Sequence, residues 1–218
     1  MDAREIILAR LRAQQRDEPH PPAWRSRRHF PDLIARFGQA LEEVGGEFLR
    51  VANWEGAWEA LGKVLDDVGA KRVVVNPDPP LDRFDVAARW PTVEWHVVGR
   101  DGDVRSFARE ADVGVSSAVA ALAETGTVIV ASGPAHSRLA VLLPPVHVVL
   151  LPASRVTVDL FTWVAQWRGA SSPLPSSVTL ITGPSKTADI EQTLATGVHG
   201  PGRLIVVLVE EGGVTIND

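Results

Sequence analysis

Pro144-Pro-Val-His-Val-Val-Leu-Leu151 decides the fold. The two prolines end whatever precedes them, because they remove backbone donors and fix the chain extended. The run that follows is apolar at nearly every position. A strand with one wet face alternates apolar and polar residues, whereas a run without alternation fits a strand covered on both faces, as in a parallel sheet. Thr127-Val-Ile-Val-Ala131, Arg72-Val-Val-Val-Asn76 and Leu204–Val209 have the same character.

Helical segments separate these strands. Trp54, Ala57, Trp58, Leu61, Val64, Leu65 and Val68 keep one face apolar over about four turns, and Gly69 is the stop. Further helices are expected from Pro31-Asp32 to Gly45, over 81–90, 104–110, 116–123 and 156–167, and from Ser185 to Thr196. Further strands are expected over 47–51, 93–98, 113–115 and 178–181. This alternation predicts an α/β protein with a mostly parallel sheet between two helical layers, a three-layer α/β/α architecture. Residues 1–30 stand apart as an N-terminal amphipathic helix (2–17) and a Pro/Arg-rich linker; the α/β domain is expected over 31–218. Ser171–Ser177, rich in Ser and Pro, reads as a loop.

Composition excludes several kinds of chemistry. The 218 residues include no cysteine, so this chain offers no disulfide, no Cys-ligated zinc, no Cys nucleophile and no Cys-held iron–sulfur cluster. A net charge of −5 argues against nucleic acid as the main partner. The six histidines show no zinc-like spacing, and no metal site is expected. No apolar run approaches the roughly 18 residues that span a bilayer. Met1-Asp-Ala-Arg-Glu5 opens a polar amphipathic segment and not a leader peptide, so a cytoplasmic location is the expectation.

The richest stretch for chemistry is Ile181-Thr-Gly-Pro-Ser-Lys-Thr-Ala-Asp-Ile-Glu191. Read as strand, turn and helix, it sets Gly183, Pro184, Ser185, Lys186 and Thr187 at a helix start. There the first N–H groups lack partners and suit an anion. The same residues equally make a plain joint, with Ser185 or Thr187 as cap and Asp189 and Glu191 complementing the dipole. Lys186, a cation at a positive helix end, is what favours a bound anion. In Ala123-Glu-Thr-Gly-Thr127, read as a helix C-terminus, Glu124 opposes the local dipole, which marks it as a candidate base or nucleophile beside Thr125, Gly126 and Thr127. Gly197-Val-His-Gly-Pro201 places His199 in a turn with Gly200, as a candidate general acid or base or ligand-binding group, and equally as a loop histidine with its ring bonded to backbone. In Gly133-Pro-Ala-His-Ser-Arg138, His136 and Arg138 are expected at the carboxyl ends of strands, where Arg138 suits a carboxylate or phosphate and His136 reads better as a surface-loop residue.

Taken together, Ala123–Thr127, Pro144–Val148, Gly183–Glu191 and Gly197–Pro201 resemble the LUD, or lactate-utilization, domain. The resemblance covers roughly residues 31–210. It implies a fold of the NagB/RpiA/CoA-transferase group, three-layer enzymes that bind sugar phosphates or acyl-CoA. Without cysteine the chain is similar to the small LutC-like members. That implies a component of bacterial oxidation of L-lactate to pyruvate, with iron–sulfur clusters carried by LutA- and LutB-like partners and no cofactor of its own. The alternatives are a stand-alone enzyme of the CoA-transferase or sugar-phosphate isomerase type and a non-catalytic carboxylate-binding module.

Overall fold

The computed structural model describes residues 2–14, 24–167, 175–190 and 193–210, the side chains of 188–190 and 193–194 excepted. Helix α1 (Ala3–Ala13) buries none of its residues. Helix α2 (Leu33–Glu43) starts where Asp32 Oδ1 accepts the N–H groups of Ile34 and Ala35 at 3.0 and 2.9 Å. Strand β1 (Glu47–Val51) follows, then α3 (Trp54–Asp67) and β2 (Arg72–Val75). A 3-10 turn at Leu81–Arg83 and one helical turn, α4 (Val86–Arg89), lead to β3 (Glu94–Val97), α5 (Val104–Ala108) and β4 (Val113–Ser116). Next come β5 (Ala120–Leu122), β6 (Thr127–Ser132), α6 (Leu139–Leu142) and β7 (Val146–Pro152). A short β8 (Val156–Thr157), α7 (Leu160–Trp167), β9 (Ser177–Ile181), β10 (Lys186–Ile190), β11 (Thr193–Thr196) and β12 (Arg203–Val209) complete the described elements.

The main sheet has six strands in the order β1-β12-β7-β4-β2-β3, and every pairing in it is parallel. All seven residues of β7 are buried, as its nearly continuous apolar run requires. Val146, Val148 and Leu150 point toward α3 and pack with Trp54, Trp58 and Leu61. Val149 and Leu151 point the other way and pack with Phe37 and Leu41 of α2. Phe107 and Ala108 of α5 and Ala140 of α6 cover Val74 on that second face. The α/β expectation and its largely parallel sheet therefore hold.

Chain direction reverses at one place in this sheet. From β2 the chain steps outward to β3, then returns across β2 to β4 and continues toward β7 and β12. Right-handed crossovers place α3 and α4 on one face and α5 and α6 on the other. The loops after β2 and β4 therefore diverge and leave a crevice between neighbouring strands.

A second sheet, in the order β8-β5-β6-β9, was not expected from the sequence. Its inner face, with Ala121 and Val128, joins the α2 side of the core. Its outer face, with Ala120, Leu122 and Ile129, lies under Trp163 of α7. This sheet overturns the helix read over 116–123. An alanine-rich segment favours helix when isolated, but here it is covered on both faces and pairs antiparallel with β6. The helix read from Ser185 to Thr196 is likewise a hairpin, with Lys186 opposite Thr196 and Thr187 opposite Ala195. The helix read over 81–90 shrinks to the 3-10 turn and α4, and that over 156–167 begins only at Leu160. Residues 15–17 of the first expected helix, and most of the Ser171–Ser177 loop, lie outside the described residues. No helix among the described residues is long and apolar enough to cross a membrane.

Helix α3 tests how much a cap contributes. Asn53 Oδ1 accepts the Gly56 N–H at 3.0 Å, satisfying one of the first-turn donors. Asn53→Ala is expected to cost about 1 kcal/mol and to lower the melting temperature by roughly 2–4 °C. Unchanged thermal unfolding would show that the cap is idle.

Candidate functional site

The crevice between β2 and β4 is a cleft of about 310 Å3 lined by Asp78, Ser117, Val130, His136 and Arg155 among others. Each polar group arrives from a different element. Asp78 lies in the Asn76-Pro-Asp-Pro-Pro80 loop after β2, and Ser117 directly follows β4. Arg155 ends the 3-10 turn Ala153–Arg155 after β7. His136 sits in the turn between β6 and α6, which is closed by Gly133 and His136 exchanging backbone hydrogen bonds at 3.0 and 3.1 Å. Fully buried Asn76 pins that turn over the end of β2. Its Nδ2 donates to the Ser137 carbonyl at 3.1 Å and its Oδ1 accepts the Ser137 N–H at 3.0 Å.

The side chains form two linked groups. His136 Nε2 lies 3.1 Å from Asp78 Oδ1. Asp78 also accepts the Ser117 N–H, and its Oδ2 is buried with no hydrogen-bond partner among the described residues. Burial pushes the Asp78 carboxyl above the usual carboxylate range, against the opposing pull of His136, the Ser117 N–H and Arg155. Arg155 Nη1 donates to Ser117 Oγ at 3.1 Å and to the Ala118 carbonyl at 2.6 Å, and Nη2 donates to the Pro79 carbonyl at 2.9 Å. One guanidinium thus ties the β2 loop to the β4 loop and adds positive charge to the cleft wall. A histidine oriented by a carboxylate beside a cation is equipped to bind a small anion and exchange a proton with it.

Most of the residues singled out in the sequence lie elsewhere. Gly183-Pro184-Ser185 follows β9, and Lys186 and Thr187 open β10, so no helix start exists there to attract an anion. The Ser185 N–H already donates to the Pro201 carbonyl at 2.8 Å, and Lys186 Nζ donates to the Val44 carbonyl. Gly183 has φ 78°, and a Cβ on it would stand 2.8 Å from the Val44 carbonyl oxygen; the turn is built against the end of α2. Asp189 stands in β10, and its side chain and Glu191 lie outside the described residues. The Gly197–Pro201 turn docks on this segment, with the Gly197 N–H bonded to the Ser185 carbonyl at 2.9 Å and Gly200 against Ser185; His199 is exposed. The Gly202 N–H reaches the Pro145 carbonyl, just before β7, so this assembly sits at the amino ends of the strands, opposite the cleft.

Ala123-Glu-Thr-Gly126 is the β5–β6 hairpin turn and not a helix C-terminus. Thr125 Oγ1 is 2.7 Å from Thr127 Oγ1, which is 2.8 Å from Thr182 Oγ1, so this turn and the Gly183 turn do meet. Glu124 pairs with Arg28 at 2.8 Å, and its carbonyl accepts from Arg36 Nη2 at 3.0 Å. Arg28 also faces fully buried Asp159 at 3.8 Å. Burial opposes ionisation of Asp159, but hydrogen bonds from Ser26 and Thr162 and the charge of Arg28 outweigh it and hold the carboxyl below its usual range. Arg138 is exposed at the start of α6. None of the residues chosen as candidates lines the cleft; His136, read from the sequence as a surface-loop residue, does. Asp78, Ser117 and Arg155 were missed, although each is a polar residue within three positions of the end of a buried parallel strand.

The fold and the cleft define an open parallel α/β protein with a crevice at a strand switch point, where such sheets commonly bind ligands. The chain belongs to the LUD domain family, whose profile matches residues 34–209. It is similar to a lactate utilization protein C of an Exiguobacterium species, 38% identical over 95% of this chain and 96% of that one. It is also similar to the lactate utilization protein C of Bacillus subtilis, 28% identical over 88% and 85% of the two chains. Among solved structures, a DUF162 family protein from Deinococcus radiodurans shares the fold with a TM-score of 0.56. That likeness covers 81% of this chain and 96% of that one at 19% identity.

Proposed function

We propose that this chain is a LutC-like component of a bacterial system that oxidises L-lactate to pyruvate, acting in the cytoplasm. The observation that carries this reading is the nearly end-to-end similarity to lactate utilization protein C, at 38% identity. The cleft supports it, because a short carboxylate suits a hollow lined by His136 and Arg155. In this reading the chain carries no redox cofactor. Electrons leave through LutA- and LutB-like partners whose iron–sulfur clusters need cysteines that this sequence lacks. Glu124 serves the fold, through Arg28, while the cleft serves the ligand. A stand-alone transferase or isomerase would need no such partners, and a pure binding module would support no turnover.

The test is genetic and biochemical. A strain lacking its own lactate utilization protein C should regain growth on L-lactate when given this chain, and the tagged chain should co-purify iron–sulfur partners. Failure of growth despite normal accumulation of the folded chain would overturn the assignment.

A further inference from the structure

The cleft contains a group whose hydrogen-bonding sense can invert. His136 Nε2 faces Asp78, while its other ring nitrogen, Nδ1, makes no hydrogen bond among the described residues. The Asp78 contact and the Gly133–His136 backbone pairing both fix the ring's position at the cleft wall. Histidine is the side chain that changes charge between pH 5 and 8, and a neutral ring nitrogen accepts where a protonated one donates.

The titratable residues lining the cleft are Asp78, His136 and Arg155. Ionised Asp78 balances Arg155, so a proton on His136 leaves the lining with one net positive charge, matched to a monoanion. His136 faces Asp78, which in turn feels Asp82 from its own segment and Arg155 from the turn after β7, and Arg138 follows His136 by two residues. Arg100 is on the loop whose Gly99 abuts Ala135, and it is paired with Asp101.

We propose that His136, seated by Asp78, reads the oxidation level of a short 2-substituted monocarboxylate in this cleft. The neutral ring accepts a hydrogen bond from a 2-hydroxyl group, and the protonated ring donates one to a 2-oxo oxygen. The proposal rests on the lactate reading of the same chain and adds which residue separates the reduced from the oxidised acid. It concerns binding alone and involves no electron transfer within this chain.

The experiment is calorimetric titration of the full chain with L-lactate and with pyruvate between pH 5.5 and 8. General charge effects act on both anions, so the informative quantity is the ratio of their dissociation constants. The preference for pyruvate over lactate should fall roughly tenfold as pH rises, the worth of the one hydrogen bond that the 2-oxo acid loses when the ring is neutral, since a 2-hydroxyl can donate to the neutral ring and accept from the protonated one. His136→Gln keeps a polar amide but cannot titrate, and should give a ratio independent of pH. A flat ratio in the wild-type chain, or no binding of either acid, overturns the proposal. Growth on L-lactate restored by the same chain would then leave the functional reading standing, whereas loss of growth with the ratio behaving as described would remove that reading alone.

Discussion

Gly126→Ala is expected to destabilise the protein by roughly 3 kcal/mol or more, far beyond an ordinary turn substitution. Gly126 has φ 66°, which an L side chain adopts at a cost of about 1–2 kcal/mol. Its Cβ would also stand 2.3 Å from the Leu41 nitrogen, 2.5 Å from the Leu41 Cα and 2.6 Å from the Ala40 carbonyl carbon. These are backbone atoms of α2 and cannot swing aside, so the hairpin or the helix must shift. Gly102 supplies the control, with φ 87° and nothing within 4 Å of the added carbon. Gly102→Ala should therefore show the backbone cost alone. Urea unfolding of both variants separates the two effects. Equal losses at the two sites would mean that α2 does not rest on the β5–β6 hairpin.

The second large effect is on acid stability. His147 is fully buried in β7, with Nε2 2.9 Å from Ser116 Oγ and Nδ1 buried without a hydrogen-bond partner among the described residues. Burial lowers its pKa from the ordinary 6.5 to about 3, because the charged ring has no route to water. The folded state thus keeps the ring neutral while the unfolded chain protonates it. The His147 contribution is intact above pH 6.5 and is lost progressively as pH falls toward about 3. The whole loss approaches about 5 kcal/mol, at up to about 1.4 kcal/mol per pH step. Unfolding free energies between pH 6.5 and 4.5 should show this slope in the wild type and a shallower one in His147→Leu, whatever that variant's absolute stability. Identical slopes would show that another group governs the acid limb. Asp101 and Asp159, whose carboxyls are held low, begin to contribute only at more acidic pH.

The main sheet is legible in the sequence because its strands lie between two covering layers. Val146–Leu151 is apolar but for His147 and Leu204–Val209 is apolar throughout for that reason, and α3 shows itself through a face lined by Trp54, Trp58 and Leu61. The second sheet is illegible because its strands are short and their residues ambiguous. Ala120–Leu122 has the composition of a helix, and only its sandwiching between α7 and the core selects an extended chain. Lys186–Ile190 lacks a period of either kind, so the preceding Gly-Pro-Ser turn points falsely to a helix start. The cleft is half legible. His136 can be placed near a strand end, but Asp78 sits among prolines with no partner visible in the local sequence. Arg155 reaches Ser117 and Pro79 only through the crossing of the chain between β2 and β4.

Strand β12 slots between β1 and β7, and among the described residues it is the only strand that pairs with β1. During synthesis β1 emerges some 150 residues before its neighbour, with both backbone edges open throughout that interval. Pairings so distant in sequence form slowly and leave the nascent chain prone to off-pathway association. The β1 side of this sheet is therefore completed only after residues 203–209 have left the ribosome.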